Sequence, residues 1–143
     1  MSSFKVFDIA GSGMSAESVR LNTVASNLAN ADSVSGDPTQ VYQAKHPVFQ
    51  TVQALGAAAS HSAEQASASV KVAAVVANQA APESHYDPSN PLANSDGYVY
   101  SSNVNVVEEM TDMISASRSY QNNVEVMNTA RNLMLDTLKL GQG

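Results

Sequence analysis

The chain has 143 residues, enough for one ordinary domain or two small pieces, and at 43% hydrophobic it is not disordered throughout. Thirteen acidic against 7 basic residues give a formal net charge of −6. That argues against nucleic acid and against an anionic membrane surface, both of which demand a basic face, and the absence of cysteine excludes disulfides and thiolate chemistry.

Only 6% of the residues are aromatic and none is tryptophan, so a compact core must be small and aliphatic. Charged residues make up 14%, low against the usual quarter. So charge-poor a surface is expected where other subunits cover it; an alanine-rich surface without further meaning is the alternative. No apolar run approaches the ~20 residues of a membrane span. The opening Met1-Ser-Ser-Phe-Lys-Val-Phe-Asp has no basic segment leading into an apolar one. Export would therefore need a route that does not read an ordinary signal peptide.

Taken in chain order, Phe4 to Asn30 is the first predicted helix. Steps of three and four give Phe4, Phe7, Gly11, Met14, Ser18, Leu21, Ala25 and Leu28, a heptad-like seam. Small residues on or beside it (Ala10, Gly13, Ala16, Ala29) would let another helix come close. Gly11 and Gly13 each cost up to ~1 kcal/mol in a helix interior, so a bend or a late start near Ser12 is expected. Turn residues from Ser33 to Pro38 end the helix.

Residues 36–103 follow a different pattern. Val41 to Gln53 contains two short strand-like runs around Pro47, Val70 to Val76 alternates as a strand, and Asp96-Gly97 is a tight-turn signal before Tyr98-Val-Tyr. Asp87-Pro88 and Asn90-Pro91 mark an extended, turn-rich segment. The alanine- and serine-rich tract at 54–69 reads as a flexible loop at a hairpin tip, with a short helix as the alternative. A small β-rich insert of three or four strands is predicted.

The last element, Val104 to Leu140, contains neither proline nor glycine. The same stepping gives Met110, Met113, Ser117, Tyr120, Val124, Met127, Arg131, Met134 and Leu138, mostly large and apolar. A helix of this length would run about 50 Å, too long for one small domain to cover. The fold class is therefore α+β: long N- and C-terminal helices forming a coiled-coil domain, with a small β-rich insert between them. The boundaries fall at 1–33, 34–103 and 104–143. The simplest burial is an antiparallel pair of the two terminal helices, with the remaining apolar stripes left for other subunits.

No chemistry is legible. His46, His61 and His85 lie apart in the insert with no metal-ligand spacing, and no catalytic Ser/His/Asp set stands out. Gly11-Ser-Gly13 lacks the spacing and the preceding strand of a phosphate loop. No catalytic residue, cofactor or metal is expected, and the chain is read as no enzyme.

One stretch resembles a known family. Arg20-Leu-Asn-Thr-Val-Ala-Ser-Asn-Leu-Ala-Asn carries the Asn-Leu-Ala-Asn box that follows an apolar helix in bacterial flagellar rod and hook proteins. Three further blocks match in order: Asn90 to Val99, Asn103 to Met110 and Ser115 to Thr129. Gly36 is followed by Asp37, where many rod and hook relatives have an aromatic residue, which suits the proximal-rod branch.

The resemblance implies a structural subunit of the flagellar basal body that polymerises into the rod, the drive shaft that carries torque across the periplasm and encloses the export channel. It implies export through the flagellar type III apparatus without a cleaved signal, assembly in the periplasm, and terminal helices forming an inner coiled-coil domain. Expected partners are other copies of the chain, other proximal and distal rod proteins, and a rod-base adaptor near the membrane ring, with no nucleic acid and no membrane insertion. Alternatives are another proximal-rod component, discriminated by the Asn90 to Val107 block, or a non-flagellar secreted coiled-coil adaptor.

The expected assembly interface comprises Phe4, Phe7, Met14, Leu21, Asn27, Leu28 and Asn30 on the first helix. On the second it comprises Met110, Met113, Tyr120, Val124, Met127, Arg131, Met134 and Leu138. Asn27 and Asn30 are expected to cap the helix end and hydrogen-bond to an adjacent subunit. Arg131 either pairs with acids of a neighbouring helix or with those asparagines, or reaches out to solvent or the channel. The terminal helices are expected to be largely unstructured in the free monomer.

Overall fold

A computed structural model describes residues 3–54 and 67–141. The order is α1 (Ser3–Ala29), β1 (Val34–Ser35), β2 (Lys45–Ala54), β3 (Ser67–Ala77), β4 (Glu83–Tyr86), β5 (Tyr98–Ser101) and α2 (Val106–Leu140). Two helices and small antiparallel sheets make the chain α+β. Of the expected loop at 54–69, Ala54 belongs to β2 and Ser67 to Ser69 to β3, and residues 55–66 lie outside the described residues.

The helix ends follow from local chemistry. The Asn105 side chain accepts from the backbone N–H of Val107 at 3.1 Å and of Glu108 at 3.3 Å, which caps α2. Glu108 and Glu109 occupy its first turn and Lys139 its last, in the sense the helix dipole favours. α1 continues through Gly11 and Gly13 without the interruption expected near Ser12. The local cost of Gly13 is offset by packing, because a Cβ there would lie 2.8 Å from Nδ2 of Asn123 on α2.

α1 packs along α2. Three contacts fix their relation: Asn27 to Glu109, Arg20 to Asp112 at 2.8 Å, and Gly13 to Asn123. As one number falls the other rises, so the two helices run in opposite directions. At ~1.5 Å per residue the 27-residue α1 spans about 40 Å and the 35-residue α2 about 52 Å. The C-terminal end of α2 therefore runs past the start of α1.

Among the described residues the insert holds five strands, not three or four. β1, β5 and β4 form one antiparallel sheet in that order, and β2 pairs with β3 in a second. The two-residue β1 and the polar, fully exposed β4 carry no alternating apolar signal that would announce them. The two runs read around Pro47 are one strand. Pro47 sits opposite Val75 and a bulge falls between Val48 and Phe49. A two-stranded ribbon has an open edge on both strands, which is where a residue without an N–H is tolerated.

The β2–β3 hairpin lies against α1. It begins beside Asn27, and fifteen residues back along the helix the Val70 N–H donates to Ser12 Oγ at 3.1 Å. Asn103 closes the base of the hairpin. Its Oδ1 accepts from the Ala44 N–H at 2.7 Å, and its Nδ2 donates to the carbonyls of Asn78 and Ala80 at 3.2 and 2.8 Å.

The Asp96-Gly97 turn forms where the sequence places it. Gly97 has φ +81°, and Asn94 Oδ1 accepts from the N–H groups of Asp96 and Tyr98 at 3.0 and 2.9 Å. A Cβ on Gly97 would stand 2.8 Å from the Tyr86 ring, which itself meets Tyr98 edge-on at 5.3 Å. Gly97→Ala is expected to lower stability by about 1–3 kcal/mol, through the left-handed backbone and the ring contact. A fall in the urea midpoint relative to Ser95→Ala in the same turn would show it.

Candidate assembly interface

The buried face of the helix pair is small and polar. On α1 the buried residues are Ala10, Ala16, Thr23, Val24 and Asn27; on α2 they are Glu109, Ala116 and Ala130. With Asn123 against Gly13, the inward positions of α2 recur every seven residues: 109, 116, 123, 130.

The expected seam lies one residue further along. Of its α1 members, Phe7, Met14, Leu21, Leu28 and Asn30 are half-buried, and the side chain of Phe4 lies outside the described residues. Of its α2 members, Met113, Met127 and Met134 are half-buried. Met110 (54% exposed), Leu138 (61%), Tyr120, Val124 and Arg131 are exposed. Glycine and alanine bring the helix backbones together, so the contact line runs through them and the larger side chains flank it. These large residues, expected to bury against one another in the same or adjacent chains, thus do not do so within one chain. What they cover between chains is a separate matter. Arg131 makes no ion pair among the described residues, and Asn27 and Asn30, which it was expected to meet, lie at the other end of the helix pair and bond elsewhere.

Asn27 is the larger correction. It is 0% exposed, and every hydrogen-bonding capacity of its amide is used within the chain. Oδ1 accepts from the Lys45 N–H and from the Tyr42 hydroxyl, both at 2.9 Å. Nδ2 donates to the Lys45 carbonyl and to Glu109 Oε1, both at 2.8 Å. Nothing is left over for a neighbouring subunit. One amide joins the end of α1, the start of β2 and the start of α2. Asn30 lies one turn on and donates only to the Ser26 carbonyl of its own helix.

Sequence reasoning missed Glu109, which is 2% exposed, and the Arg20–Asp112 ion pair that Glu17 extends at 3.8 Å. Burial pushes the Glu109 carboxyl up from its ordinary range. The Asn27 hydrogen bond and the charge of His46 pull it down, while Asp112 and Glu108 push it up.

Outside this core the apolar side chains are large. Val106, Val107 (73% exposed), Met110 and Ile114 lie near the start of α2, and Leu133, Leu135, Leu138 and Leu140 near its end. Val6, Val126, Ala130 and Leu133 line an open groove of about 560 Å³ where α1 begins. Among the described residues no cluster of His, Asp and Glu could hold a metal ion, and no helix is long and apolar enough to cross a membrane. The arrangement offers surfaces for helices.

Asn27→Ala strips partners from the Lys45 backbone, the Tyr42 hydroxyl and a buried carboxylate at once. A loss of about 3–5 kcal/mol is expected, against less than about 1 kcal/mol for Asn30→Ala. Urea unfolding of the two variants, or outright loss of helical circular dichroism in the first alone, checks the contrast.

Residues 7–36 match the family model described as flagella basal body rod protein, and residues 95–140 match flagellar basal body rod FlgEFG protein C-terminal. These spans cover most of α1 and all of α2. The chain is 53% identical over 142 residues to the flagellar basal-body rod protein FlgC of Salmonella typhimurium. It is 54% identical to that of Escherichia coli O157:H7 and 51% to that of Yersinia enterocolitica. Each alignment covers 99% of this chain and 100% of the relative. Likeness at this level from end to end shows that the chain belongs to the family of flagellar basal-body rod proteins named FlgC.

Proposed function

We propose that the chain is a structural, non-catalytic subunit of the flagellar basal body that polymerises into the proximal rod. Its family supports the rod. The single observation that carries the assembly role is the distribution of its apolar side chains. The interior of the helix pair is closed by alanine, glycine and amides, and the large aliphatic residues stand outside it. A lone subunit gains nothing by exposing Val107, Met110, Ile114 and Leu138, but a polymer of side-by-side helices buries them.

In this proposal the two terminal helices form a coiled-coil inner domain and the β-rich insert an outer one, with boundaries near residues 33 and 103. Head-to-tail contacts that do not close generate a helical tube, and many parallel contacts share its torque. The tube spans the periplasm and encloses the export channel. Its neighbours are further copies of the chain, other proximal and distal rod proteins, and an adaptor at the rod base. The subunit reaches its place through the flagellar type III apparatus without a cleaved signal peptide. Methionines 110, 113, 127 and 134 suit contacts with non-identical neighbours, since a flexible thioether fills irregular gaps. The remaining interface residues are Phe4, Phe7, Met14, Leu21, Leu28, Tyr120, Val124, Arg131 and Leu138.

Deleting the gene is expected to leave basal-body rings without a rod in electron micrographs, with motility abolished. The unaltered gene restores both. A Met110→Glu, Leu138→Glu double variant, whose changes lie outside the buried face, is expected to keep its helical circular dichroism and to restore motility at least tenfold less well. A deletion strain with normal flagella would overturn the rod assignment. Full complementation by the double variant would overturn the assigned surface.

A further inference from the structure

We propose that Glu109 is a proton-operated latch between the helix pair and the β2–β3 hairpin: protonated, it lets the three elements lock at Asn27, and ionised, it loosens them. The inference stands on the geometry of the junction and is independent of the assembly role.

The Glu109 side chain is 2% exposed at the first turn of α2. Its Oε1 accepts from Asn27 Nδ2 at 2.8 Å. Its Oε2 is buried without any hydrogen-bond partner. Ionised, Glu109 buries a charge with one oxygen unpaired; protonated, it buries at most an unpaired O–H, which costs far less. The same Asn27 amide holds Lys45 through both its N–H and its C=O, and Tyr42 through its hydroxyl. Any displacement of Glu109 toward water therefore pulls on the one residue that seats the start of the hairpin on α1.

The charged and titratable groups around Glu109 come from α1, from β2 and the residues before it, and from α2 itself. On α1, Arg20 is engaged by Asp112 at 2.8 Å and by Glu17 at 3.8 Å. Before and on β2, the Lys45 ammonium lies 5.5 Å over the Tyr42 ring, and His46 attracts the ionised carboxylate. On α2, Glu108 and Asp112 repel it. Burial outweighs the two lowering influences, Asn27 and His46, so the folded chain holds the proton to a higher pH than the unfolded chain, whose reference is 4.5. The contribution to stability is therefore fully present below about 4.5 and is lost as pH rises through the folded-state value.

The test uses the full chain and its Glu109→Gln and His46→Gln variants between pH 5.5 and 8, clear of the isoelectric point near 4.8. Glutamine keeps an acceptor for Asn27 and never ionises. The amide N–H groups of glutamine would sit where Oε2 finds no partner, a cost that does not change with pH, so the Glu109→Gln thermal midpoint is expected to rise by several degrees relative to the parent between pH 5.5 and pH 8. His46→Gln removes an attraction for the ionised carboxylate, so it should keep the sign of the parent's pH dependence and move it toward higher pH. Carbon-13 NMR of the Glu109 carboxyl in the parent should show it titrating above 4.5. A carboxyl that titrates at or below that value, or a Glu109→Gln midpoint that tracks the parent across the whole range, overturns the latch. Should the variant fail to fold, the carboxyl titration in the parent decides alone.

Discussion

The whole arrangement depends on one buried amide. Asn27 has two donors and two acceptor sites, and all four are met by groups far apart in sequence: Tyr42, Lys45 twice, and Glu109. Each bond is worth only ~0.5–1.5 kcal/mol net, but leaving several buried groups unpaired costs much more. The end of α1, the start of the hairpin and the start of α2 therefore have one low-energy way to meet. Asn103 performs the same service at the base of the hairpin, where it ties Ala44, Asn78 and Ala80 to the approach of α2.

From this junction the two helices run side by side over small residues. Gly13 against Asn123, with Ala10, Ala16, Ala116 and Ala130 buried, brings the backbones close, and Arg20–Asp112 fixes the register part way along. Such a seam specifies alignment well but buries little apolar area, so it stabilises the pair weakly. The residues that could stabilise it strongly, such as Met110, Ile114 and Leu138, point elsewhere. A subunit built this way has its geometry set internally and much of its hydrophobic free energy still to gain from neighbours. That suits a component of a polymeric rod.

The sequence made the coarse architecture legible for physical reasons that can be named. An uninterrupted 3.5-residue rhythm without glycine or proline yields α2 to within two residues of its start, where Asn105 caps it. Asp96-Gly97 marks its turn because only glycine sits easily at φ +81°. The contact line within one chain lies one position away from the seam that the periodicity predicts. Periodicity alone favours large apolar residues for the inside, and here close approach put alanine, glycine, asparagine and glutamate there. Asn27 was read as an outward, subunit-bridging amide because nothing local distinguishes it from Asn30. The distinction comes from Lys45 and Glu109, 18 and 82 residues away. The same distance hid Glu109, which looks like an ordinary first-turn acid beside Glu108. β1 and β4 were invisible because short polar strands are held by their partner β5 and not by any pattern of their own.

The buried face is complete within one subunit, and in the proposed function the large outward side chains are covered by others. The chain has no cysteine, so a single introduced thiol reports one site. The most direct measurement is maleimide labelling of Met110→Cys, Leu138→Cys and Ala116→Cys, in the free subunit and in isolated basal bodies. In the free subunit with its helices paired as in the structure, Met110→Cys and Leu138→Cys should react and Ala116→Cys should be protected; in the basal body all three should be protected. Equal labelling of Met110→Cys and Leu138→Cys in the free and assembled states would contradict the account.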